Sequence, residues 1–113
     1  MNEHNTQRLL VAWFRNQYPD LAGVFFAIPN GGKRSQVTAK ILRDEGVLPG
    51  VPDLMLAAPS ASGLHGLFIE LKTARGSVSQ AQRKAHAALE DQGYRVAVAR
   101  GYEAAKAAIT EYL

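Results

Sequence analysis

GVPDLMLAAPSASGLHGLFIELK, residues 50 to 72, carries the reading that decides the fold. Two apolar runs, DLMLAA (53–58) and HGLFIELK (65–72), flank the short loop Pro59-Ser60-Ala61-Ser62-Gly63, the pattern of a hairpin. The second run reads as a core strand, yet it carries Glu70 and Lys72, which strand alternation points to one face. Charges are rarely buried without partners. If the two runs pair about Ala61 and Ser62, Asp53 falls directly opposite Glu70, where facing side chains are about 5 Å apart. Opposed carboxylates destabilise a hairpin unless something positive lies between them. A divalent cation meets that need, and two hard carboxylates suit Mg²⁺ or Mn²⁺. An isolated Glu-x-Lys would be an ordinary solvated edge pair; Asp53 opposite turns the reading toward an active site.

Outward from this hairpin, the chain alternates helix and strand signals. Residues 3 to 18 give a helix whose buried face is Leu9, Leu10, Trp13 and Phe14, ended by Pro19-Asp20. GVFFAIP, 23 to 29, reads as a short buried strand stopped by Pro29. An Asn-Gly-Gly-Lys-Arg loop follows, then a helix over about 36 to 45 with Ser35 as its cap and Gly46 as its stop. Leu48-Pro49-Gly50-Val51-Pro52 is a stiff turn that delivers Asp53 to its strand. Beyond Lys72, a polar connector leads to a helix from Ser79 to Gln92, where Ser79-x-x-Gln82 matches a capping box. Residues 94 to 100 form another strand, and Tyr102 to Leu113 a last helix with Ala105, Ile109 and Tyr112 on one stripe. The order α-β-α-β-β-α-β-α predicts an α/β fold, a mixed sheet flanked by helices.

The 113 residues are expected to form a single domain, 1–113. Thirteen Lys and Arg against ten Asp and Glu give a net charge of +3 and a pI near 9.5, a balance that permits nucleic-acid binding. No cysteine is present, which excludes disulfides and thiolate metal sites. His4, His65 and His86 show no zinc-ligand spacing. The start lacks a signal-peptide pattern, and no apolar run approaches membrane-spanning length. A soluble, cytoplasmic protein with no membrane partner is therefore expected.

The same residues carry a family resemblance. Pro52-Asp53 followed by Glu70-Leu71-Lys72 resembles the PD…ExK signature of the restriction-endonuclease-like nuclease superfamily. More narrowly, the chain resembles the virus-type replication-repair nuclease (VRR-NUC) domain. The match runs in order through Glu3, Pro29-Asn30-Gly31-Gly32-Lys33-Arg34, Gly50-Val51-Pro52-Asp53, Phe68 to Lys72, Ser79-x-x-Gln82 and Gly93-Tyr94. The resemblance implies a restriction-endonuclease-like core and a Mg²⁺- or Mn²⁺-dependent DNA endonuclease. Asp53, Glu70 and the main-chain carbonyl of Leu71 become metal ligands, with Glu3 supporting the metal or its water. Lys72 orients the attacking water, and Gln82 occupies a polar position near the catalytic groups. Asn30 and Arg34 of the glycine-rich loop become DNA contacts. Beside the resemblance, Lys33 in the same loop, whose glycines let backbone approach phosphate, and the exposed Arg75 are expected to touch DNA as well. With Glu3, Asp53 and Glu70 committed to the site, the rest of the chain is more basic than its net charge suggests, as phosphate binding requires.

Among stand-alone phage and prophage relatives the implied substrate is branched DNA such as a four-way junction. A homodimer would place two sites on two strands. The resemblance also fixes the expected compartment, the cytoplasm of a bacterial or phage-infected cell. Other readings stay open at this stage: a non-cleaving module that binds branched DNA, a flap- or end-processing nuclease, or a domain whose two acids hold a structural ion. Glu3 is also a favourable first-turn acid. Gln82 has two competing uses, capping its helix or facing a substrate. His65 and His86 read as structural or solvent-facing, and Trp13 and Phe14 as core.

Overall fold

Asn2 opens the molecule's first helix, its side chain accepting the Asn5 N–H at 2.8 Å. Helix α1, Glu3–Gln17, buries Thr6, Leu10 and Phe14, a row spaced four apart that forms one face. Leu9, expected on that face, is exposed at 37%, and Trp13 is half-buried at the margin of the core. The computed structural model describes residues 1–29 and 35–113.

A 3-10 helix, Pro19–Val24, occupies part of the segment expected as strand. Pro19 has its fixed φ and no N–H to place, and Leu21 donates to the Tyr18 carbonyl at 3.0 Å, so the chain tightens before it extends. Strand β1 is accordingly only Phe25–Ala27. Helix α2, Gln36–Asp44, starts at Ser35, which accepts the Thr38 N–H. Strands β2, Leu54–Leu56, and β3, Leu67–Lys72, are shorter than the two runs that announced them, and the link between them spans 57–66. Ser60 organises that link through its hydroxyl, which accepts the Leu64 N–H at 3.0 Å. Helix α3, Gln80–Asp91, carries the capping box of Ser79 and Gln82 in full. Strand β4, Arg95–Arg100, and helix α4, Tyr102–Tyr112, complete the expected order.

The four strands lie in the order β1-β2-β3-β4. β1–β2 and β2–β3 are antiparallel, and β3–β4 is parallel with α3 as its crossover. β3 is therefore central and covered on both faces. Leu67, Ile69 and Leu71 join Leu10 and Phe14 of α1 and Ala105, Ile109 and Tyr112 of α4 in one core. Phe68, Glu70 and Lys72 alternate to the other face, where Phe68 meets the ring of Tyr94, 5.4 Å between centroids. Tyr112 pins the last helix to the β2–β3 link, its hydroxyl donating to the Ala58 carbonyl at 2.6 Å. No helix among the described residues is long and apolar enough to cross a membrane.

Candidate active site

The pairs Leu54–Ile69, Met55–Phe68 and Leu56–Leu67 set the β2–β3 register. One step outward, Asp53 stands opposite Glu70, the arrangement read from the sequence. The Asp53 backbone is held from both sides: its N–H donates to the Ile69 carbonyl at 3.0 Å, and its carbonyl accepts the Ile28 N–H at 2.8 Å. Its carboxylate is fixed as well, with Oδ2 accepting the Leu71 N–H at 2.7 Å. A short amide-to-carboxylate bond of this kind is charge-assisted and resists rotation.

Glu70 is 3% exposed, buried in the middle of the sheet. Both its oxygens meet polar groups from α3: Nε2 of Gln82 donates to Oε2 at 3.3 Å, and Nε2 of His86 lies 3.2 Å from Oε1. Burial raises the Glu70 carboxyl most, and the charge of Asp53 and a hydrogen bond with its carboxyl raise it further. Lys72 pulls the other way and Glu3 adds to the rise; the result is a group pushed up to about 8. A buried acid in this state is one whose ionised form lacks sufficient positive charge nearby. The His86 imidazole is held below its ordinary value, chiefly by burial.

Two local devices bring α3 to this place. The capping box fixes Gln82 relative to Ser79, whose N–H donates to Gln82 Oε1 at 2.9 Å. Gly50, at φ +88°, lets the 48–52 turn lie against the start of α3; a Cβ there would come within 2.3 Å of the Ala81 carbonyl oxygen. Beyond Lys72 the chain turns at once, and the Arg100 guanidinium donates to the carbonyls of Thr73, at 3.0 Å, and Gly76.

Glu3, Gly50, Asp53, Glu70, Lys72 and Gln82 thus line one cleft of about 390 Å³. A second cleft shares Glu3 and Lys72 and continues past Thr73 to Tyr102. Of the residues singled out in the sequence, Glu3, Asp53, Glu70, Lys72 and Gln82 come together. The Leu71 main chain runs beside them while its side chain enters the core. Arg75 sits exposed in the turn after Lys72 and does not line the cleft. Asn30, Lys33 and Arg34 lie outside the described residues.

Two expectations change. Gln82 does not choose between capping and facing the site: its Oε1 serves the cap while its Nε2 reaches Glu70. His86, read as structural or solvent-facing, is not solvent-facing: it is 8% exposed, and its Nε2 lies 3.2 Å from Oε1 of Glu70. Its signal in the sequence is the spacing from Gln82, four residues along one helix face.

No three His, Asp or Glu side chains among the described residues converge as a ready-made metal cage. The donors present nevertheless fit a hard divalent ion. Two adjacent carboxylates, one of them raised for want of positive charge, match Mg²⁺ or Mn²⁺, which commonly keep water and take one or two carboxylates from the protein.

Compared with known protein families, residues 1–103 match the family described as VRR-NUC domain. A solved structure titled VRR_NUC domain protein is 25% identical in sequence and superposes with a TM-score of 0.87, covering 100% of this chain and 88% of its own. None of the curated proteins matches.

Proposed function

Because the chain belongs to the VRR-NUC domain family, a family of nuclease-type domains, we propose that it is a metal-dependent DNA endonuclease acting on branched DNA such as four-way junctions. The observation that carries this reading is the pair Asp53 and Glu70, opposed across β2 and β3, with Lys72 in the same cleft. A DNA-binding module has no use for two carboxylates aimed where phosphates would lie. A nuclease does, provided a cation joins them.

Asp53 and Glu70 would hold Mg²⁺ or Mn²⁺, with Glu3 and the Leu71 carbonyl adding oxygen donors or ordering its water. Such an ion supplies Lewis acidity, polarising the scissile phosphate and lowering the pKa of water. Lys72 contributes a compact positive charge beside Glu70, suited to orienting the attacking water and to offsetting charge that builds on the phosphate. Water would bond to phosphorus as the bond to the 3′ oxygen breaks, the water giving up a proton to solvent and the leaving oxygen taking one from it, which leaves 5′-phosphate and 3′-hydroxyl ends. Asn30, Lys33, Arg34 and Arg75 would contact the DNA backbone, and two copies of the chain would present two sites to two strands.

The test incubates the protein with four-way junction, flap, single-stranded and linear duplex DNA, with Mg²⁺, with Mn²⁺ and with chelator. Cleavage is expected on the branched substrates only with metal. It should fall by roughly 100-fold or more in Asp53→Asn and in Lys72→Met, while DNA binding largely survives. Tight binding without cleavage under any metal would overturn the nuclease reading. Equal cleavage by wild type and Asp53→Asn would overturn the assigned site. A monomeric mass with and without junction DNA would remove the paired-cut arrangement.

A further inference from the structure

We infer that His86 is a positioning residue for Glu70, acting through its Nε2–H to hold the carboxylate in the orientation that meets Asp53. The inference rests on the reading of Asp53 and Glu70 as metal ligands and adds a residue which that reading does not require. Its basis is geometric. His86 is the one buried residue of α3. Its Nε2 is 3.2 Å from Glu70 Oε1, and Gln82, one turn earlier on the same helix, donates to Glu70 Oε2 at 3.3 Å. The carboxylate is thus gripped at both oxygens by one helix face. That helix is itself fixed by the Ser79 capping box and by the close approach of Gly50 to Ala81.

The grip has a use that packing alone lacks. Each carboxylate oxygen has two lone pairs, so one donor per oxygen leaves one lone pair on each for a cation. Without those donors, an ionised Glu70 buried opposite Asp53 would swing away to relieve repulsion. An ionised carboxylate only accepts, so when Glu70 is charged the proton of the neutral imidazole must be on Nε2. This is the arrangement by which partners behind a metal ligand commonly set its orientation.

Two substitutions separate donation from packing. His86→Phe keeps a ring of similar volume and removes the donor; His86→Gln places an amide N–H close to where Nε2 lies. Calorimetric titration of the DNA-free protein with MnCl₂ is expected to show affinity lowered roughly 10- to 100-fold in His86→Phe. His86→Gln should keep most of it. A second measurement needs no variant: long-range ¹H–¹⁵N spectra of the wild-type, Mg²⁺-loaded protein should show His86 as the Nε2–H tautomer. If both variants bind Mn²⁺ like wild type, or the ring is the Nδ1–H tautomer, the positioning role is wrong while the site stands. If wild type binds no Mn²⁺, or Asp53→Asn binds it equally well, the site reading fails and takes this inference with it.

Discussion

Glu70 shows most directly how one residue can be unstable alone and useful in place. Its carboxyl, ordinarily near 4.5, is pushed up to about 8, first by burial and then by Asp53. A group raised on folding contributes stability that is complete below the unfolded value and is lost as pH rises through the folded one. The metal-free protein should therefore lose stability between about pH 4.5 and pH 8. His86 works in the opposite sense: an imidazole lowered on folding costs stability as pH falls below its ordinary 6.5. The Glu70 effect is cleanest from about pH 7.5 to 8, where the imidazole is almost wholly neutral in both states. Thermal melts in chelator should show the midpoint falling over that interval in wild type. Glu70→Gln should flatten the fall, and Asp53→Asn should reduce it and raise the midpoint at pH 8. An unchanged slope in Glu70→Gln would show that the buried carboxyl is not its source.

At the scale of elements, the site depends on α3 being seated against the 48–52 turn, and Gly50 is the seat. A methyl group there would lie 2.3 Å from a backbone oxygen and 2.7 Å from the Gln82 nitrogen, at a φ of +88° that disfavours any side chain. The backbone must move, so Gly50→Ala should cost on the order of 1–3 kcal/mol. Cleavage should fall more than stability alone explains, because Gln82 and His86 travel with the helix. Denaturant melts set beside cleavage rates at a temperature where the variant stays folded would check this; wild-type activity in that variant would contradict it. The same element shows what a sequence can disclose. The pairing of Asp53 with Glu70 was legible because a hairpin is local, and its register follows from where the loop is centred. Ser79 and Gln82 were legible because a cap is written in four consecutive residues. His86 was not, because its partner arrives from β3 through the parallel crossover, which sequence order leaves unspecified. The 3-10 helix at Pro19–Val24 was missed for another reason: an apolar run cannot by itself show where a tight turn gives way to a strand.

For the whole molecule, the consequence of an electrostatically frustrated cleft is that its ligand should also stabilise the fold. Glu3 stands on the first helix, Asp53 at the head of β2 and Glu70 on the central strand, so the cleft joins parts of the chain far apart in sequence. A cation that binds there binds the folded chain and not the unfolded one. At a free concentration 100 times its dissociation constant, linkage gives about 2.7 kcal/mol of added stability. For a domain of this size, each kcal/mol shifts the melting midpoint by about 4–8 °C, so the total is of order 10 °C. Calorimetric melts with MgCl₂ or MnCl₂ against chelator should show that rise in wild type and not in Asp53→Asn, which lacks one of the two proposed ligands. The gain should be smaller at pH 6 than at pH 8, because at pH 6 the ion must displace the proton that Glu70 retains. A midpoint that ignores both metals at pH 8, in a protein that still cleaves DNA with them, would mean the ion enters with the substrate's phosphate and is not held by Asp53 and Glu70 alone.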